Sequence, residues 1–117
     1  MALINSVISW LMKKRIHQIE LFMKYPHEVQ TEWLRRLLYT ARNTEWGRKY
    51  HFKSISTPAQ FMNRVPVNDY EALKGSIDRL RKGEQNILWP SEIKWFAKSS
   101  GTTCDKSKFI PVSQAAL

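Results

Sequence analysis

The stretch Lys98-Ser99-Ser100-Gly101-Thr102-Thr103-Cys104-Asp105-Lys106-Ser107-Lys108 decides how this chain is read. Four hydroxyl residues surround one glycine, and two lysines follow. The stretch lies between Ile93-Lys94-Trp95-Phe96-Ala97 and Phe109-Ile110-Pro111-Val112, whose β-branched and aromatic residues predict strands. A phosphate loop needs close backbone approach, several donors and positive charge. Gly101 permits the approach, the hydroxyls and successive N–H groups can form an anion-cradling nest, and a lysine can pair with a phosphate as a point charge. The spacing is not that of a Walker A loop. The same residue types also suit a polar hairpin loop, and composition by itself leaves both readings open.

Upstream of this stretch the pattern is helical. Ile4, Ile8, Leu11, Met12, Ile16, Ile19, Phe22 and Met23 recur at helical spacing, with Arg15 intruding, and predict a first helix whose stripe packs into a core. Pro26 ends or redirects it. A second helix is expected over 27–42, with Val29, Trp33, Leu34, Leu37, Leu38 and Ala41 as its stripe. Asn43-Thr44 interrupts, and residues 44–50 suit one further turn with Trp46 and Tyr50 on one side. Thr57-Pro58-Ala59-Gln60 carries a capping box with proline at the first helical position. Val65-Pro66-Val67 is extended. Asn68 is the expected cap of a helix bearing Tyr70, Leu73, Ile77 and Leu80, and Gly83 stops it. Ile87-Leu88-Trp89 reads as a strand, and Ser113 as the cap of a last helix.

The 117 residues carry 19 Lys and Arg against 10 Asp and Glu, a formal charge of +9. With 43% hydrophobic residues and five Trp, the chain is ordinary globular material rather than a disordered tail. No apolar run is long enough for a membrane span. Leu3 and its apolar neighbours precede the basic cluster Lys13-Lys14-Arg15, the wrong order for an export signal. The single Cys104 excludes an internal disulfide framework and reads as an inert surface thiol. His17, His27 and His51 have no metal-ligand spacing, so no metal site and no catalytic side chain is assigned. The basic balance admits two alternatives, a helical nucleic-acid-binding module and a membrane-surface helix. The first is weakened by the spread of charge. Residues 1–55 hold ten basic and four acidic residues, and residues 56–117 hold nine and six.

The run 98–103 followed by Lys108-Phe109-Ile110-Pro111-Val112 resembles the phosphate loop of adenylate-forming ligases. Within that superfamily it is similar to the Gretchen Hagen acyl-acid amido synthetases, the auxin-responsive family. Trp46-Gly47-Arg48-Lys49-Tyr50, Val65-Pro66-Val67 with Tyr70-Glu71, and Gly83-Glu84 followed by Leu88-Trp89-Pro90 resemble that family's N-terminal region in the same order. The insert Cys104-Asp105-Lys106-Ser107 departs from the Gly-rich, Pro-bearing insert frequent in the family.

The resemblance implies an α/β parent fold. This chain would be the N-terminal portion of a larger adenylate-forming domain, with residues 1–83 a helical region and 84–117 the first strands and phosphate loop. The portion itself is expected to be mainly α-helical, with about four helices, followed by a β-hairpin carrying the loop. The implied activity is ATP-dependent, with Mg²⁺: a carboxylic acid becomes an acyl-adenylate and is transferred to an amine such as an amino acid. Ser99, Ser100, Gly101, Thr102, Thr103 and Lys108 are the residues that would hold ATP. The implied setting is cytoplasmic, without nucleic acid or membrane as partner, and the chain by itself is not expected to turn over.

Overall fold

The structure is a computed structural model that describes residues 2–100 and 107–117, with side chains from residue 6 onward. Two compact units divide the chain, Met1–Leu34 and Arg35–Leu117, and the division falls within the second helix.

The first helix, α1, spans Ala2–Lys24 in the first unit, and α2 spans Pro26–Ala41, beginning in the first unit and ending in the second. Pro26 does not open a loop. It takes the first position of α2, where a missing N–H costs nothing because that group has no intrahelical partner. The Tyr25 N–H still donates to the Leu21 carbonyl at 2.8 Å, and the Tyr25 carbonyl accepts from Val29 at 3.1 Å. The stripe on α1 forms the helix as its spacing predicts, yet its burial does not follow. Ile8, Leu11, Met12, Ile16, Ile19, Phe22 and Met23 are all exposed, as are Val7 and Trp10. Periodicity selects which side chains share a face, whereas burial needs a second surface against that face. The Lys14 ammonium lies 5.6 Å from the Trp10 ring centre, covering part of one ring with charge.

The second unit holds the core. After α2 come α3 (Glu45–Lys49), a short 3-10 turn (Phe52–Ser54), α4 (Pro58–Arg64), α5 (Tyr70–Arg81), β1 (Ile93–Lys98), β2 (Phe109–Ser113) and a closing 3-10 turn (Gln114–Ala116). That makes five α-helices and one antiparallel hairpin among the described residues, the mainly helical arrangement expected. Leu80, Ile87 and Ile93 form the buried cluster, with Trp46, Leu88, Trp89 and Phe96 packed against it. Leu38, Ala41, Ile55 and Ile77 are buried elsewhere in the unit.

Thr44 shows why the chain turns where it does. It is fully buried. Its hydroxyl donates to the Ala41 carbonyl at 2.7 Å and accepts the Gly47 N–H at 3.0 Å. The next two unpaired N–H groups of α3 also find partners, Glu45 with the Asn86 carbonyl at 3.0 Å and Trp46 with the Ile87 carbonyl at 3.1 Å. A helix start buried in a core needs such acceptors. This corrects the strand reading of 87–89: the Ile87 carbonyl serves the start of α3, and the segment takes no strand conformation. Positive φ at Asn86 bends the segment toward that task.

The ends of α4 and α5 are local. Thr57 and Gln60 close the expected capping box on α4. Asp69, not Asn68, caps α5; its carboxylate accepts the Ala72 N–H at 2.8 Å, while the Asn68 amide donates back to the Pro66 carbonyl at 2.7 Å. At the other end Gly83, at φ +98, ends the helix as expected. Its N–H donates to the Leu80 carbonyl, and Glu84 donates to Arg79, the paired bonds of a Schellman motif. Ser113 precedes only the 3-10 turn and makes no side-chain cap there.

Candidate functional site

β1 and β2 pair antiparallel from Ile93 opposite Ser113 to Lys98 opposite Phe109, with an irregularity between Ile93 and Trp95. The Gln85 side chain stands in for a strand at Ile93. Its Oε1 accepts the Ile93 N–H at 2.9 Å, and its Nε2 donates to the Ile93 carbonyl at 3.4 Å. Pro111 is tolerated in β2 because a two-stranded sheet consists of edges.

Beyond the last strand pair, the two ends of the loop remain tied. The Ser99 N–H donates to the Lys108 carbonyl at 2.9 Å, and the Lys108 N–H donates to Ser99 Oγ at 3.0 Å. Ser99 and Lys108, nine positions apart, therefore stand side by side at the mouth of the loop. A hydroxyl that accepts one bond keeps its own O–H to donate, so Ser99 is held in place without losing its donor. Ser100 follows in the exposed chain. Gly101, Thr102 and Thr103, with Cys104, Asp105 and Lys106, lie outside the described residues.

Three cations gather on two aromatic rings at this mouth. The Arg81 guanidinium lies 3.9 Å from the Phe109 ring centre, and the Lys98 ammonium 6.0 Å from the same centre. The Lys108 ammonium lies 5.7 Å from the Tyr70 ring centre. Each such contact is worth about 0.5–1 kcal/mol at an exposed site. Together they concentrate positive potential at the loop mouth. The Tyr70 hydroxyl also accepts the Phe109 N–H at 2.9 Å. Tyr70 and Arg81 carry no sequence signal for this role. They read as a core aromatic and a helix-end charge, and only the packing of α5 beside β2 brings them to the loop.

The other charge cluster is structural. Arg79 donates to both carboxylate oxygens of Glu45 at 2.8 Å and to Glu84 at 2.8 Å. It ties the first residue of α3 to the last turn of α5 and to the turn beyond. These hydrogen bonds, chiefly that from Arg79, hold the Glu45 carboxyl below the usual carboxylate range, and the Arg79 guanidinium is driven still further toward its charged form by Glu45 and Glu84. Among the described residues, no group of three or more His, Cys, Asp or Glu side chains is placed to hold a metal ion, and no helix is long and apolar enough to cross a membrane.

A family model described as the GH3 family N-terminal domain matches residues 15–117. Among curated relatives, an indole-3-acetic acid-amido synthetase of Arabidopsis thaliana, GH3.2, is 31% identical over 105 residues, which is 89% of this chain and 19% of the relative. The GH3.4 synthetase of the same plant is 32% identical over 99 residues, 84% of this chain and 17% of the relative. The jasmonoyl-L-amino acid synthetase JAR6 of Nicotiana attenuata is 31% identical over 106 residues, 90% of this chain and 18% of the relative. The chain thus spans under a fifth of the length of these relatives.

Proposed function

Because this chain belongs to the GH3 family, whose N-terminal domain it matches over residues 15–117, we propose that it serves an ATP-dependent acyl-acid amido synthetase. The observation that carries this reading is that match, together with relatives named as amido and amino acid synthetases. The tied ends of the loop at Ser99 and Lys108 agree with it.

A carboxylate is a poor electrophile toward an amine. In the proposed first step a carboxylate oxygen bonds to the α-phosphorus of ATP, and the bond from that phosphorus to the pyrophosphate oxygen breaks. In the second step the amine nitrogen bonds to the acyl carbon, AMP leaves with the electrons of the acyl–oxygen bond, and the amine sheds a proton. The loop would act in the first step. Ser99, Ser100, Thr102 and Thr103 would donate to phosphate oxygens, Gly101 would allow the backbone to approach, and Lys108 would offset charge on the departing pyrophosphate. Such help is electrostatic and is set up before the reaction begins.

The described part of the site suits that task on its donor chemistry. The Ser99 hydroxyl stands at the loop mouth beside the Lys108 backbone, and the cations Lys98, Lys108 and Arg81 stand on rings beside it. Mg²⁺ accompanying ATP would be carried on phosphate oxygens. The carboxylic acid, the amine and a cytoplasmic setting, where ATP is abundant, belong to the same proposal.

The test is pyrophosphate release from the protein that carries this domain. Release should require both ATP and a carboxylic acid. Gly101→Ala and Thr102→Ala should each reduce it by at least about tenfold, the scale expected when one preorganised donor or its approach is lost. Undiminished release in both variants would refute the loop assignment.

A further inference from the structure

We propose that Tyr70 is a positioning residue for the exit of the phosphate loop. Its hydroxyl holds the Phe109 N–H and thereby sets where Lys108 leaves the sheet. The inference rests on reading residues 98–108 as a phosphate loop and names a residue that reading does not contain.

Three observations carry it. The first is the direction of the backbone bonds. In an antiparallel strand successive N–H groups point to opposite sides. The Lys108 N–H turns inward to Ser99 Oγ. The Phe109 N–H, one residue on, turns outward to the open edge of the hairpin, and the Tyr70 hydroxyl meets it there at 2.9 Å. An edge N–H commonly goes to water. Here it goes to a side chain delivered from the first residue of α5, 39 positions earlier.

The second observation is that Tyr70 touches the functional cation as well as the backbone. The Lys108 ammonium lies 5.7 Å from the Tyr70 ring centre. One residue thus restrains Lys108 at both ends, the backbone through Phe109 and the ammonium through the ring face.

The third is that α5 grips Phe109 a second time. Its last residue, Arg81, stacks 3.9 Å from the Phe109 ring centre. A two-stranded hairpin is marginal by itself, so β2 requires a support, and α5 is the helix packed against it. The capped start at Asp69 and the Schellman stop at Gly83 make that support a well-defined one. Positioning of this kind matters because a displacement of about 1 Å in a catalytic group can cost about a hundredfold in rate.

Tyr70→Phe removes the hydroxyl and keeps the ring. In the 117-residue chain, amide hydrogen exchange and a titration with inorganic pyrophosphate, read from the Ser99 and Lys108 amide resonances, test the idea together. In the variant the Phe109 amide should exchange about tenfold faster, the scale of one hydrogen bond. The Ile77 and Leu80 amides, buried in α5, should keep their rates, which a general loss of structure would not allow. Pyrophosphate affinity should fall about three- to tenfold, on the same bond's scale. Unchanged Phe109 exchange, or equal pyrophosphate affinity in the two proteins, overturns the positioning role and leaves the phosphate loop standing. A wild-type chain that binds no pyrophosphate overturns the loop reading, and this inference falls with it.

Discussion

Replacing Gly47 by alanine should destabilise the second unit sharply, although glycine-to-alanine changes in helices usually stabilise. A Cβ built at Gly47 would lie 2.0 Å from the Ala41 carbonyl oxygen, 2.8 Å from the Arg42 carbonyl carbon and 2.9 Å from the Ala41 carbonyl carbon. All three are backbone atoms and cannot swing aside as a side chain does. Ordinary contact begins near 3.4 Å, so α2 and α3 must part by about 1.4 Å. The oxygen in the way is the one that accepts both the Thr44 N–H and the Thr44 hydroxyl. Moving it strips a fully buried threonine of its partner and loosens the Gly47 N–H bond on the same hydroxyl. Alanine gains about 1 kcal/mol of helix propensity. Overpacking costs about 1–3 kcal/mol, and leaving one buried polar group unsatisfied costs about 1–3 kcal/mol. The net loss is on the order of 3 kcal/mol, which lowers Tm by about 10–20 °C for a unit of this size. The assay is thermal unfolding by circular dichroism, with Gly75→Ala as the counterpart. Gly75 lies inside α5, and its added Cβ would meet nothing within 4 Å, so this variant should gain about 0.5–1 kcal/mol. A Gly47→Ala protein that melts at or above the wild-type temperature would refute the reasoning.

Two further outcomes follow from the helix ends and the ion cluster. Asp69→Ala should cost about 1 kcal/mol through loss of the α5 cap, whereas Asn68→Ala should cost clearly less in the same denaturant titration; equal losses would contradict the assignment of the cap. Glu45 has its carboxyl pKa lowered in the folded state, chiefly by the hydrogen bond from Arg79. Its contribution is therefore fully present above the ordinary unfolded carboxylate value of about 4.3 and is lost as pH falls through the lower folded value. The stability difference between wild type and Glu45→Gln should be constant near neutral pH and shrink in acid. A difference that grows on acidification would show the sign to be wrong.

The parts of this fold that read correctly from the chain have their causes close together. The capping box on α4 needs only Thr57 and Gln60, three residues apart. The stop after α5 needs a residue that tolerates positive φ, and Gly83 supplies it. The errors fall where two local answers are equally good or where the partner is distant. Asn68 and Asp69 are both sound caps, and the choice is made by which side chain reaches the Ala72 N–H once Pro66 has set the approach. Ile87-Leu88-Trp89 has the residues of a strand. The Ile87 carbonyl, with that of Asn86 before it, is taken by the start of α3, some forty positions earlier.

The same distinction holds for the site. Hydroxyls around Gly101, lysines beyond it and apolar runs on both sides make the proposed phosphate loop readable in the linear chain, because such a loop would be built from consecutive backbone and its neighbours. The family resemblance is legible for the same reason, since its motifs are short and ordered. Nothing in the linear chain joins Tyr70 or Arg81 to that loop, or Arg79 to Glu45. Those contacts arise when α5 packs beside β2 and the start of α3. The sequence by itself determined the helices and the hairpin, through periodicity, capping and residue type within a few positions. Only the tertiary structure decided which side chains hold the loop's exit in place, because a hydrogen bond across 39 residues depends on where two packed elements meet.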